Sequence, residues 1–199
     1  MTRTWLVLAA IAGTAALAPS AHAEGYLILN GGVLFPVGDA DWKDLVEPSA
    51  SFAVRGGSSR RIARGARVGF EAGLEYAPLS TELDGALVQV DFNRYRVIFG
   101  ARYEQLVARG LLLSLRGGLG ISHLRVEASA LGQSESDSDT GVALDLAAGL
   151  WFAAGSTLLG LELGLPSGFH SDDNSDNNDA AVDFRMTELA LSAGVRFQF

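Results

Sequence analysis

Cysteine is absent from the 199 residues, lysine occurs once, at Lys43, proline occurs five times, and charged residues make up only 19%. Without cysteine there can be no disulfide scaffold. A formal charge of -8 argues against a nucleic-acid binder, because a phosphate backbone calls for a basic surface. So few charges beside 48% hydrophobic residues exclude a disordered chain. Beyond the N-terminal segment no stretch reaches 18 uninterrupted apolar residues, so no further spanning helix is expected. What the chain has in plenty is glycine, 24 residues, each costing roughly 0.5–1 kcal/mol relative to alanine inside a helix or strand. At this length one domain is expected.

Residues 1–23 carry Arg3, an apolar stretch from Trp5 to Leu17, the helix breaker Pro19, and small residues Ala21 and Ala23 on either side of His22. This is the pattern of a secretory signal with its cleavage site. The apolar stretch is shorter than the ~20 residues a membrane-spanning helix needs. Export is therefore predicted, with one mature domain over residues 24–199.

That domain alternates with period two. Val68, Phe70, Ala72, Leu74 and Tyr76 fall on one face of an extended segment, and Arg67, Gly69, Glu71, Gly73 and Glu75 on the other. The pattern recurs around Tyr95–Tyr103, Leu111–Ile121, Val142–Leu150, Leu159–Leu165 and Leu189–Phe199, with weaker runs at Leu27–Phe35 and Ala50–Val54. Eight strands result. Gly56–Gly65, Ala108–Gly110 and Ala153–Ser156 are expected as compact connections. Pro36–Pro48, Pro78–Gly85, Ser129–Thr140 and Pro166–Val182 are expected as longer, more acidic ones. Alternating short and long connections describe an all-β, eight-stranded antiparallel up-and-down barrel with elaborated loops at one end.

Alternation alone leaves open which face is inside. The polar face carries Arg67, Arg94, Arg96, Arg102, Arg116 and Arg196 against Glu71, Glu75, Glu104, Asp145, Glu162 and Glu188, and it is crowded with glycine. A solvent face has little use for glycine, whereas a narrow eight-stranded lumen must fit large side chains beside missing ones and must pair its charges. Arginine suits that lumen better than lysine because its planar fork binds carboxylates in bidentate fashion. The expected arrangement is therefore a transmembrane barrel whose lumen is plugged by these twelve residues. Aromatic residues near the run ends, such as Tyr26, Phe35, Tyr76, Tyr95 and Phe152, fit interfacial girdles.

Ala193, Val195, Phe197 and Phe199 close the chain with alternate apolar residues and a terminal phenylalanine. This ending resembles the C-terminal assembly signal of bacterial outer-membrane proteins. With the leader and the eight runs, the mature chain resembles small outer-membrane β-barrels of the OmpA-transmembrane-domain and OmpX type. The resemblance implies a bacterial outer-membrane location, with outer-membrane lipids and lipopolysaccharide as neighbours. It also implies recognition of Val195, Phe197 and Phe199 by the barrel assembly machinery, and a structural or surface-interaction role toward an extracellular ligand. Two alternatives stand beside it, a narrow porin-like channel and a lipid A modifying enzyme.

Catalysis has few residues to draw on. His123 and His170 are the imidazoles of the mature chain, and the sequence neighbours Ser122, His123 and Glu127 suggest a relay. Adjacent strand residues point to opposite faces, so Ser122 and His123 cannot bond directly. The His and Ser two apart on one face that mark a lipid A deacylase are missing, so no enzyme is expected. Asp172, Asn174 and Asp176 stand two apart, with Asp183 eleven after Asp172, as in a calcium loop. Asn177 replaces the turn glycine and Asp183 the bidentate glutamate, leaving weak calcium binding as the sole cofactor expectation and a hydrated acidic loop as the default. Ser134–Asp139 is expected as a second acidic loop. Arg60, Arg61 and Arg64, on the opposite side, are placed to meet anionic inner-leaflet lipid.

Overall fold

The computed structural model describes residues 23–38, 46–80, 88–130, 133–171 and 183–199. The leader prediction, residues 1–22 of it, lies outside them. Eight strands follow one another: β1 (Ala23–Pro36), β2 (Ser49–Ala63), β3 (Ala66–Ser80), β4 (Val88–Ala108), β5 (Leu111–Ala130), β6 (Gln133–Ala154), β7 (Thr157–Ser171) and β8 (Asp183–Gln198). Each pairs antiparallel with its sequence neighbour, and β1 pairs with β8 to close the barrel. All-β, up-and-down and eight-stranded is thus the observed architecture.

At one end the strands are joined by two-residue turns, Arg64–Gly65, Arg109–Gly110 and Gly155–Ser156. Their glycines have φ of 77°, 77° and 66°, the left-handed region that tight hairpins demand and side chains resist. Both ends of the described chain lie here, with Gly25 and Phe199 exchanging backbone hydrogen bonds of 2.9 and 3.0 Å.

Several connections are shorter than the sequence suggested: residues 78–80 belong to β3 and residues 166–171 to β7, and two others shrink further. Gly56–Gly65 is strand up to Ala63, because its glycines mark close approach rather than a turn: a Cβ at Gly57 would lie 2.7 Å from the Tyr26 hydroxyl. Ser129–Thr140 is also mostly strand, paired from Ser122↔Gly141 to Ala130↔Gln133. It rises past the apolar rim, where both faces are polar, so hydropathy no longer alternates.

The two faces are disposed as in a membrane barrel rather than a soluble one. On the outer wall Phe70 is 77% exposed and Leu119 63%, while inside Arg102 and Glu188 are each 1% exposed. Inside, three layers stack along the axis. Tyr26, Ile28, Trp151 and Leu158 form an apolar floor beside the short turns, with Leu112 packed against it. Leu34, Val46, Ala77, Leu79, Leu124 and Met186 form an apolar roof at the other end. Charges fill the middle.

Candidate functional site

The middle layer is built by alternation, since every second residue of a strand points inward. Arg102 is its best-held cation. Its Nε donates to Glu71 Oε2 at 2.7 Å and its Nη1 to Glu162 Oε1 at 3.0 Å, tying β4 to β3 and, across the lumen, to β7. Arg96 donates to Glu75 at 3.0 Å and lies 3.7 Å from Asp145. Arg94 bridges Glu188 and Glu75, Arg116 pairs with Asp145, and Arg196 pairs with Glu104. Buried charges survive only when paired, and each of these has an opposite partner, although single atoms such as Arg94 Nε, Arg96 Nε and Glu188 Oε2 make no hydrogen bond.

Of the twelve residues expected in the plug, Arg67 is not part of the buried layer. It sits at the short-turn rim, partly exposed, donating to the half-exposed Glu24 at 2.6 Å. Its place is taken by Arg55, buried and 3.6–3.7 Å from Glu162 and Glu75. The layer then sets Arg55, Arg94, Arg96, Arg102, Arg116 and Arg196 against Glu71, Glu75, Glu104, Asp145, Glu162 and Glu188. Cations and anions are equal in number, so the layer carries no net charge. The sequence does hold a signal for Arg55, which continues the inward parity of Ser51 and Ala53 one step beyond the weak run ending at Val54.

Tyr26, expected in an interfacial girdle, instead points inward and is buried in the floor, and Asn30 and Trp151, which the sequence did not single out, join it in wiring floor to ions. Tyr26 donates to Glu71 at 3.1 Å, Asn30 to Glu162 at 2.8 Å, and Trp151 Nε1 to Ser114 at 3.1 Å. The Arg196 guanidinium lies 4.1 Å from the Tyr26 ring centroid and that of Arg102 5.8 Å from Trp151, at or within cation–π range. A cavity of about 20 Å³ among Asn30, Arg55, Glu75, Arg116, Asp145 and Glu162 has room for about one water.

Near the roof stands a chain of three polar side chains. His170 Nδ1 is 2.6 Å from Asp139 Oδ2, and its Nε2 is 3.3 Å from Ser122 Oγ. Here the sequence reading is corrected: Ser122 finds His170, expected in a loop but placed in β7, while His123 faces outward to Thr140 at 2.9 Å. The order of contacts is that of a nucleophile, a base and its orienting acid. Ser122 is fully buried, however, and sits mid-strand between β4 and β6, whose ladder occupies the backbone donors an oxyanion would need. The chain is a clasp across β5, β6 and β7.

The calcium prediction rests on Asp172, Asn174 and Asp176, which lie outside the described residues, and on Asp183, which begins β8 opposite Ser171. Among the described residues no group of three or more His, Asp or Glu side chains is arranged to hold a metal. Val195, Phe197 and Phe199 share the outer face at the end of β8. Phe199 is 77% exposed, its ring against Gly25, where a Cβ would lie 2.6 Å from it. Arg60, Arg61 and Arg64 are exposed at the β2–β3 turn.

No sequence-family profile matches the chain, and no curated protein sequence is similar to it. Solved structures are similar in fold. The attachment invasion locus protein Ail of Yersinia pestis superposes with a TM-score of 0.51 at 20% identity, over 88% of this chain and 99% of that one. Neisserial surface protein A gives 0.53 at 17%, over 88% and 97%. A major outer membrane protein of Thermus thermophilus gives 0.60 at 13%, over 89% and 100%. The fold is that of small bacterial outer-membrane β-barrels.

Proposed function

We propose that the chain is a bacterial outer-membrane barrel that holds a surface-interaction module at the cell exterior and neither conducts nor catalyses. The observation that carries this reading is the height of three strands above a closed lumen. β4, β5 and β6 have 21, 20 and 22 residues, against 14 to 16 in the other five. Pairing of β3 with β4 stops at Ser80↔Asp91 and that of β6 with β7 at Val142↔Phe169, while β5 and β6 stay paired for nine further positions, Ser122↔Gly141 to Ala130↔Gln133. Nine pairs make roughly 30 Å of ribbon at about 3.4 Å per residue.

A raised ribbon is costly to leave bare, since its edge offers backbone groups to any extended partner. Asp137 and Asp139 on this edge favour a cationic partner. Ail has been crystallised with a heparin analogue, sucrose octasulfate, but that polyanion suits the present ribbon poorly. Beneath it, apolar floor, neutral ionic layer and apolar roof support a plugged lumen over the porin-like alternative. The buried Ser122 supports a non-enzymatic role over lipid A modification.

Replacing residues 126–137, and with them Asp137, by an Asn-Gly turn closed on the Arg125↔Ser138 pair tests the reading. Cells displaying the wild-type chain should adhere to a polylysine-coated surface in a salt-sensitive manner, and cells displaying the shortened chain should not, while both retain heat-modifiable migration. Equal adhesion would overturn the proposal, as would stepwise conductance of the wild-type barrel in a planar bilayer.

A further inference from the structure

The outer wall changes character abruptly on one side of the barrel. Val54, Leu74, Val97, Ile121 and Val142 are direct register partners across β2 to β6 and make an unbroken aliphatic row. Two residues higher on each strand, the next outward row is Phe52, Tyr76, Tyr95, His123 and Thr140, again direct partners. Above that come Pro78, Asn93, Arg125 and Ser138. Within two steps the wall passes from hydrocarbon to rings and hydroxyls, then to amide and guanidinium.

These groups form one surface. Tyr76 donates to Asn93 Oδ1 at 2.8 Å, its ring is 5.1 Å from that of Tyr95, and Tyr95 is 6.5 Å from His123, which bonds Thr140. Arg125 stands above, about half-exposed, with Glu127 at 2.5 Å on one edge of its guanidinium. A guanidinium has five donors, so one carboxylate contact leaves others for a second acceptor.

From this juxtaposition we infer that the outer face of β3 to β6 binds the phosphorylated saccharide headgroup of an outer-leaflet glycolipid. The inference rests on the membrane orientation proposed above. Tyrosine rings and imidazole belong at the level where acyl chains end and polar heads begin, and ring faces suit the apolar faces of sugars. The Asn93 amide, the Thr140 hydroxyl and the second ring nitrogen of His123 offer hydrogen bonds to sugar hydroxyls. Arg125 supplies the planar fork that recognises phosphate. From Tyr76 to Thr140 the row crosses three inter-strand gaps of about 4.8 Å each, a breadth that fits a disaccharide and exceeds what one glycerol phosphate can cover.

The test uses the folded full-length barrel in zwitterionic micelles, titrated with bisphosphorylated lipid A, with its dephosphorylated form and with phosphatidylglycerol. Wild type should bind the bisphosphorylated glycolipid at least tenfold more tightly than phosphatidylglycerol. Arg125→Gln should lose about tenfold toward the phosphorylated form only. Tyr95→Leu combined with His123→Leu should lose affinity toward both saccharides. Phe70→Leu, lower on the same wall, should change neither. Equal affinity of wild type and variants, or phosphatidylglycerol binding as tight as that of the glycolipid, would overturn the site. Heat-modifiable migration of each variant separates the two claims: a folded barrel without glycolipid preference refutes the site alone. A wild-type chain that stays monomeric in water without detergent refutes the site and the orientation together.

Discussion

His170 Nδ1 lies 2.6 Å from Asp139 Oδ2, joining β7 to β6 just above the last register pair between them, Val142↔Phe169. Among the described residues backbone pairing between β6 and β7 ends there, so the side-chain bond fastens the β6 edge of the raised ribbon to the wall, while its β4 edge stays paired with β3 up to Ser80↔Asp91. Ser122 at 3.3 Å on the other ring nitrogen brings in β5. Gly168 keeps the space open, since a Cβ there would lie 3.2 Å from His170 Nε2 and 3.4 Å from Ser122 Oγ.

His170→Ala should therefore loosen the ribbon without unfolding the barrel. A neutral hydrogen bond contributes about 0.5–1.5 kcal/mol and one to a charged group about 1.5–3 kcal/mol. Amide exchange at residues 136–141 should accelerate by roughly tenfold or more, while exchange in the Leu144–Leu150 segment stays unchanged. Uniform acceleration along β6 would show that the clasp serves the whole barrel. Ser122→Ala should give a smaller effect of the same pattern.

Glu162 is the most connected carboxylate of the middle layer, meeting Arg102, Arg55, Arg116 and Asn30. Glu162→Gln keeps its shape and strands the guanidinium groups that share it. Removing one partner of a buried pair costs about 3–5 kcal/mol, so the midpoint of unfolding by guanidinium in micelles should fall substantially. Arg102→Lys should behave nearly as badly as Arg102→Ala, because one ammonium cannot reproduce the fork that spans Glu71 and Glu162. Arg67→Ala, whose partner Glu24 is exposed at the rim, should cost less than about 1 kcal/mol.

These residues also show how far the sequence reached. Strand number, closure and inward parity are legible because each strand inside the apolar belt obeys a two-residue period between lipid-like and polar surroundings. Eleven of the twelve lumen residues follow from that parity. Arg67 fails because parity fixes the face but not the height, and at the rim an inward residue meets water instead of a charge. The raised part of β6 reads as a loop for a related reason: above the apolar belt Ser136, Asp137, Ser138 and Asp139 are polar on both faces, so the signal that marks a strand is lost while the strand goes on. The His170 clasp depends on register between β6 and β7, which one strand's pattern cannot reveal.

Trp151 and Gly160 make a complementary pair in the floor. They are register partners, and a Cβ at Gly160 would lie 2.4 Å from the indole ring. Gly160→Ala should therefore destabilise by about 1–3 kcal/mol through overpacking, and Trp151→Ala by about 3–5 kcal/mol through the cavity it leaves. The double variant should be less harmful than the sum, because the methyl added at 160 no longer meets a ring. Strict additivity in unfolding experiments would mean that the two do not pack as described.

Phe70 tests the orientation of the whole wall. It projects outward from β3, 77% exposed, opposite Ser58 on β2 and Ala101 on β4, and its strand neighbour Glu71 points inward to Arg102. In a bilayer an arginine on the lipid face near mid-depth costs about 2–4 kcal/mol, falling toward zero at the interface. Phe70→Arg should thus lower the folded fraction in lipid vesicles by that amount, with little change when the same variant is unfolded from a short-chain detergent that lets water approach the site. Ile62→Arg, exposed at the β2–β3 turn, should be tolerated in both. A soluble barrel would reverse the order of the media, gaining rather than losing folded protein in water when an exposed phenylalanine becomes arginine.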